Sequence, residues 1–162
     1  MNTFSTKIAA LALALFPTAL FAQGCVEDTG DSVTVREAGG LFTAPVLASY
    51  IANIAERDLY NSRGARLGNF AAVLQQDRAN FHKSGRADGS GVLTDGADTY
   101  FVNLERRSQL ASATYYADCY MSASDVRNFQ NSILNGRVGG VVWVLPFRHP
   151  NGGLGVYITG VN

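Results

Sequence analysis

The chain has 162 residues, and less a short leader it fits a single domain large enough to bury a core. Thirteen Lys and Arg balance thirteen Asp and Glu, so no global field draws the protein to nucleic acid or to an anionic membrane surface. Only two cysteines and two histidines are present, which limits metal and nucleophile chemistry from the outset.

Lys7 followed by the apolar run Ile8-Ala-Ala-Leu-Ala-Leu-Ala-Leu-Phe16 reads as a signal peptide broken by Pro17 and cut after Ala22. The apolar stretch is too short for the roughly 20 residues of a membrane-crossing helix. The spacing thus predicts a leader over 1–22, an N-terminal arm over 23–43 and one domain over 44–162, periplasmic or secreted, with no transmembrane segment once the leader is cut. In the arm, Ser32-Val-Thr-Val-Arg36 alternates as a brief strand.

Thr43 as a cap, Pro45 in the first turn, and Val46, Leu47, Tyr50, Ile51, Ile54 and Ala55 at helical spacing predict a helix to about Tyr60. A second stripe, Leu67, Phe70, Ala71, Leu74, Arg78 and Phe81, predicts a helix that stops near Gly85. From Gly85 to Asp98 the chain is rich in glycine and reads as a solvated loop. Its Asp88, Asp95 and Asp98 lack the ligand spacing of a calcium loop, so no metal is expected.

Residues 99–116 fit one helix through Phe101, Leu104, Ser108, Ala111 and Tyr115, or a hairpin; the aromatic and β-branched flanks favour the hairpin. Ser122 or Ser124, with Asp125, starts a helix whose inner face is Val126, Phe129 and Ile133, closed by Asn135-Gly136. The strongest strand signal is C-terminal, in Gly139 to Phe147 and Leu154 to Gly160 around a polar turn. Helices followed by strands predict an α+β fold, an antiparallel sheet with the N-terminal helices packed on one face.

Cys25 and Cys119 can pair in an oxidising compartment, which would stabilise the fold by about 4 to 5 kcal/mol on the chain-entropy model. The competing fate is acylation, since Phe21-Ala-Gln-Gly-Cys25 has the outline of a lipoprotein signal. A lipid-anchored envelope protein that binds another protein is the alternative reading of the chain.

Gly139-Gly140 leading to Trp143, then Pro146, Pro150 with Gly152, and Tyr157 in a closing strand, with Asp98-Thr-Tyr-Phe-Val upstream, resembles the single Cache domains of bacterial extracytoplasmic sensors. The chain departs from that family in having Gly155-Val156 where a lysine precedes the closing tyrosine, and Ala113-Thr114 where a histidine-proline pair stands. The resemblance implies a Cache-like (PAS-like) domain that binds a small ligand between sheet and helices, with Tyr100, Tyr116, Trp143 and Tyr157 as walls. It also implies that Arg106 or Arg127 could clasp a small carboxylate. No cofactor is expected.

No catalytic reading emerges beside it. His82 near a helix end and His149 in a turn have no metal-ligand spacing, no Gly-x-Ser-x-Gly elbow occurs, and neither cysteine lies in a Cys-x-x-Cys pair. A non-enzymatic binding module, with a small molecule or an envelope protein as partner, is the expectation.

Overall fold

The computed structural model describes residues 21–28, 30–85, 87–136 and 140–161. The expected leader, apart from Phe21 and Ala22, and Gly139 of the C-terminal strand signal lie outside them. Val33 and Val35 alternate with Thr34 and Arg36, and burial alternates with them, as a strand with one face inward requires. This strand, β2 (Ser32–Glu37), pairs antiparallel with β1 (Phe21–Asp28) and with β3 (Gly40–Pro45), so the segment read as an arm supplies part of the main sheet.

The sheet has seven strands in the order β3-β2-β1-β5-β7-β6-β4, with β4 at Tyr50–Ile54, β5 at Thr114–Asp118, β6 at Gly140–Arg148 and β7 at Leu154–Gly160. Strand β5 runs parallel to both neighbours, β1 and β7, and all other pairs are antiparallel. The fold is therefore a mixed sheet with three short helices, and the expected antiparallel sheet under N-terminal helices is not formed. The helix expected from Thr43 to Tyr60 is instead the end of β3, a bend, β4 and a 3-10 turn. Tyr50, Ala52 and Ile54 alternate inward, and Val, Ile and Tyr at those spacings suit a strand as well as a helix.

The two edge strands are consecutive in the chain. Val46 bridges Phe147 of β6, and Leu47 N–H donates to the Pro146 carbonyl at 2.8 Å before β4 takes up the pairing with β6. One stretch of chain thus pairs with β2 at its start and with β6 at its end, and the sheet closes on itself. Inside the closure lie Val26, Val33, Val35, Tyr116, Leu145 and Phe147, with Ala44 and Tyr157. Gly155 leaves room there, since a Cβ on it would meet the Phe147 ring at 2.3 Å.

The other face of the sheet carries the helices. α1 (Phe70–Ser84), capped by Asn69 and ended by Gly85, buries Phe70, Ala71, Val73 and Leu74 against Tyr115, Val144, Val156 and Ile158. Burying Phe70, Val73 or Leu74 contributes about 1.5 to 3 kcal/mol each, and Ala71 less. Residues 99–116 form neither a hairpin nor one helix: bends lead to α2 (Leu104–Ser108), a 3-10 turn, and then β5. The tyrosine pair expected on a hairpin arm sits on a strand whose partners, β1 and β7, are distant in sequence. α3 (Ala123–Leu134) starts at Ser122 with the reciprocal Ser122–Asp125 cap, which holds the Asp125 carboxyl below its usual range, and buries Ile133.

Candidate functional site

The second apolar stripe in the sequence places a charge, Arg78, on the inward face of α1. In the fold Arg78 is fully buried, and three carboxylates surround it. Its Nε donates to Asp77 Oδ2 at 2.7 Å, Nη1 reaches the Gly96 carbonyl at 2.8 Å and Asp98 Oδ2 at 3.4 Å, and Nη2 lies 3.6 Å from Asp95 Oδ1. The guanidinium also stacks over the Tyr50 and Phe81 rings at 4.3 and 4.8 Å. Burial works against its charge, but Asp77, Tyr50 and Asp98 outweigh that and hold its pKa above the ordinary value. Burial pushes the Asp77 carboxyl up to about 8, against the pull of Arg78.

The loop expected over residues 85–98 is formed and is mostly exposed among the described residues, but its Asp95 and Asp98 turn inward to this cluster. Asp95 accepts from the backbone N–H of Asn53 on β4 at 2.6 Å and from that of Asp88 at 2.7 Å. Asp98 accepts from the N–H groups of Tyr100 and Phe101 and meets His82 Nε2 at 2.8 Å. Gly96 N–H donates to the Ile51 carbonyl at 2.8 Å, so the loop lies along the outer side of β4. A Cβ on Gly96 would stand 3.1 Å from Ile51 N, so the loop backbone lies against β4 more closely than most side chains allow. The aspartates are acceptors for backbone and arginine, and among the described residues no three His, Cys, Asp or Glu side chains come together to hold a metal.

In front of the clamp lies a concavity of about 450 Å³ formed by Ser49, Tyr50, Ile51, Gly96, Trp143 and Val161. Trp143 is 37% exposed, and its indole N–H donates to Ser49 Oγ at 2.7 Å, which fixes the ring. Ile51 and Thr159 are its cross-strand partners. None of the lining side chains is charged. A second hollow, near Asn135 and Gly136, contains Arg66, whose guanidinium is already bound to the Tyr60 hydroxyl and the Leu134 carbonyl.

The chain matches no protein-family model, no curated protein and no solved structure.

The six ligand residues expected from sequence do not converge. Tyr100 and Arg106 are together beside α2, where Arg106 Nη1 donates to the Tyr100 hydroxyl at 3.2 Å and stacks over its ring at 4.8 Å. Tyr116 and Tyr157 are register partners inside the closed sheet. The Tyr116 hydroxyl donates to Glu37, burial and that carboxylate raising its pKa, and the Tyr157 hydroxyl donates to Asp118 Oδ2 at 3.0 Å. Arg127 is exposed on α3. Of the six, Trp143 lines the concavity beside Ser49, and the space between sheet and helices is filled by Phe70, Leu74, Tyr115 and Ile133.

The histidines are also engaged. His82 meets Asp98, while His149 Nε2 lies 3.4 Å from Glu37 Oε2 and its Nδ1 accepts from the Asn151 N–H at 3.2 Å. Sequence reasoning missed Ser49, Tyr50, Ile51 and Gly96, although Arg78 on an apolar stripe was a visible signal of a buried charge needing partners.

Cys25 and Cys119 are joined, with an S–S distance of 2.10 Å, and tie β1 to the end of β5. The bond uses the sulfur that acylation at Cys25 would require. Among the described residues no helix is long and apolar enough to cross a membrane.

Proposed function

We propose that this chain is an exported, non-catalytic binding module that takes a flat, uncharged, apolar group against Trp143. The observation that carries the reading is a half-exposed indole held by Ser49 in a concavity whose lining has no charged side chain. Burying an aromatic face there removes apolar surface from water on both partners and adds ring-on-ring contact. A carboxylate ligand is disfavoured, because no cation lines the concavity and the nearest buried one, Arg78, is enclosed by aspartates. Export is supported by the basic-then-apolar start of the chain and by a disulfide, which suits an oxidising compartment.

Trp143 is the only tryptophan in the chain, so its emission reports on this site alone. Phenylnaphthylamine, an uncharged aromatic fluorophore that accepts energy from tryptophan, is the probe. Saturable quenching of Trp143 with sensitised probe emission is expected. Trp143→Ala should weaken binding, read from the probe's own fluorescence, by about tenfold or more. Absence of saturation, or equal binding by the variant, would refute the reading.

A further inference from the structure

The concavity and the buried charges share two residues. Tyr50 lines the one and lies under Arg78 in the other, and Gly96 forms a wall while its carbonyl is held by Arg78. Charge in the cluster does not balance. Asp77, Asp95 and Asp98 face a single guanidinium, and Arg78 Nη2, Asp77 Oδ1 and the Tyr50 hydroxyl have no hydrogen-bond partner among the described residues. Three ionised carboxylates against one cation, all out of water, leave an uncompensated charge, and buried sites relieve such a surplus by keeping a proton.

We propose that the wall of the Trp143 concavity is proton-linked: the Asp77–Arg78 cluster holds the 88–98 loop against β4 while one proton is in place and releases it as that proton is lost. This rests on the concavity being the binding site. The groups facing Asp77 and Arg78 set the direction. On α1 there is also His82, held by Asp98; the loop contributes Asp88, Asp95 and Asp98; the 3-10 turn after β4 contributes Asp58 and Arg57; Tyr50 comes from β4 and Tyr115 from β5. Carboxylates outnumber cations among these groups, so the cluster gains stability by holding a proton and loses it by ionising.

A carboxyl whose pKa is raised by burial stabilises the closed form fully at low pH and loses that contribution as pH rises through the raised value. The loop is therefore tight in mild acid and loosens toward neutral and weakly alkaline pH. Its affinity for an apolar group at Trp143 falls in the same direction.

Three amides report the opening: Gly96 N–H on the Ile51 carbonyl, and Asn53 and Asp88 N–H on the Asp95 carboxylate. Their hydrogen exchange, measured on the disulfide-bonded protein by NMR from pH 5 to 9 and corrected for intrinsic rates, is expected to show an opening constant that rises about tenfold per pH unit and levels off above about pH 8. In Asp77→Asn the slope should vanish, leaving protection near its mild-acid level. A flat profile in the wild type overturns the proposal by itself, whether or not the variant folds, and so does a slope that persists in the variant. Phenylnaphthylamine binding at pH 5 is read separately: its failure with the amide slope intact removes the binding reading and leaves the proton linkage standing.

Discussion

Replacing Arg78 with methionine keeps much of the side chain's bulk and removes its charge. Three groups within 3.4 Å lose a donor, namely Asp77 at 2.7 Å, the Gly96 carbonyl at 2.8 Å and Asp98, and Asp95 loses a counter-charge at 3.6 Å. Because Asp77 and Asp98 are buried, the loss of Coulomb attraction is not made up by water. Removing one partner of such a buried pair costs about 3 to 5 kcal/mol, a large part of the roughly 5 to 15 kcal/mol that holds a domain together. The Arg78→Met protein is therefore expected to unfold at a much lower guanidinium concentration with an unchanged slope at pH 7. The deficit should shrink at pH 5, where carboxylates freed of their cation take up protons, and Asp77→Asn should restore part of it in the double variant. A deficit under about 1 kcal/mol at pH 7, or one equally large at pH 5, would refute the account of the cluster.

Other changes probe the frame around the site. Substituting both Cys25 and Cys119 by alanine should lower stability by about 2 to 5 kcal/mol, and the same shift should follow reduction of the wild type in denaturant titrations. Gly155→Ala, whose added methyl meets the Phe147 ring, should cost about 1 to 3 kcal/mol in the same assay, with part recovered when Phe147 is shortened to leucine. Asn69→Ala deletes the acceptor that takes the Ala72 N–H at 2.9 Å and should lower stability by about 1 kcal/mol, seen as a drop in melting temperature.

Local signals carried the elements whose partners are near in sequence. The Leu67-to-Phe81 stripe became α1, the Ser122–Asp125 cap began α3, and the apolar, β-branched and aromatic C-terminal segments became β6 and β7. The stretch from Thr43 to Tyr60 was misread because Val46, Tyr50, Ile51 and Ile54 satisfy a helical period and, through Tyr50, Ala52 and Ile54, a strand period too; pairing with β6 decided between them. Parallel pairing of β5 with β1 and β7 leaves no mark at short range, so neither the hairpin nor the single helix weighed for 99–116 anticipated it. At the site, Trp143 was singled out for its type, while Ser49, Ile51 and Gly96 acquire meaning only once β4 lies beside β6 and the loop beside β4. Arg78 stood out as a charge among apolar residues, but Asp95 and Asp98, weighed with Asp88 as metal ligands, could be matched to it only in three dimensions.

The joining of the sheet's two outermost strands through a bend zipped to β6 bears on how the protein behaves in a crowd. Unsatisfied strand backbone is what lets one molecule add onto another. Here the bend is already paired, and the far side of β4 receives Gly96 N–H and the Asp95 carboxylate. The arginine clamp thus has a protective task as well: if the loop detached, the Ile51 carbonyl and Asn53 amide of β4 would be bared beside the apolar Trp143 face, an edge onto which another molecule could add.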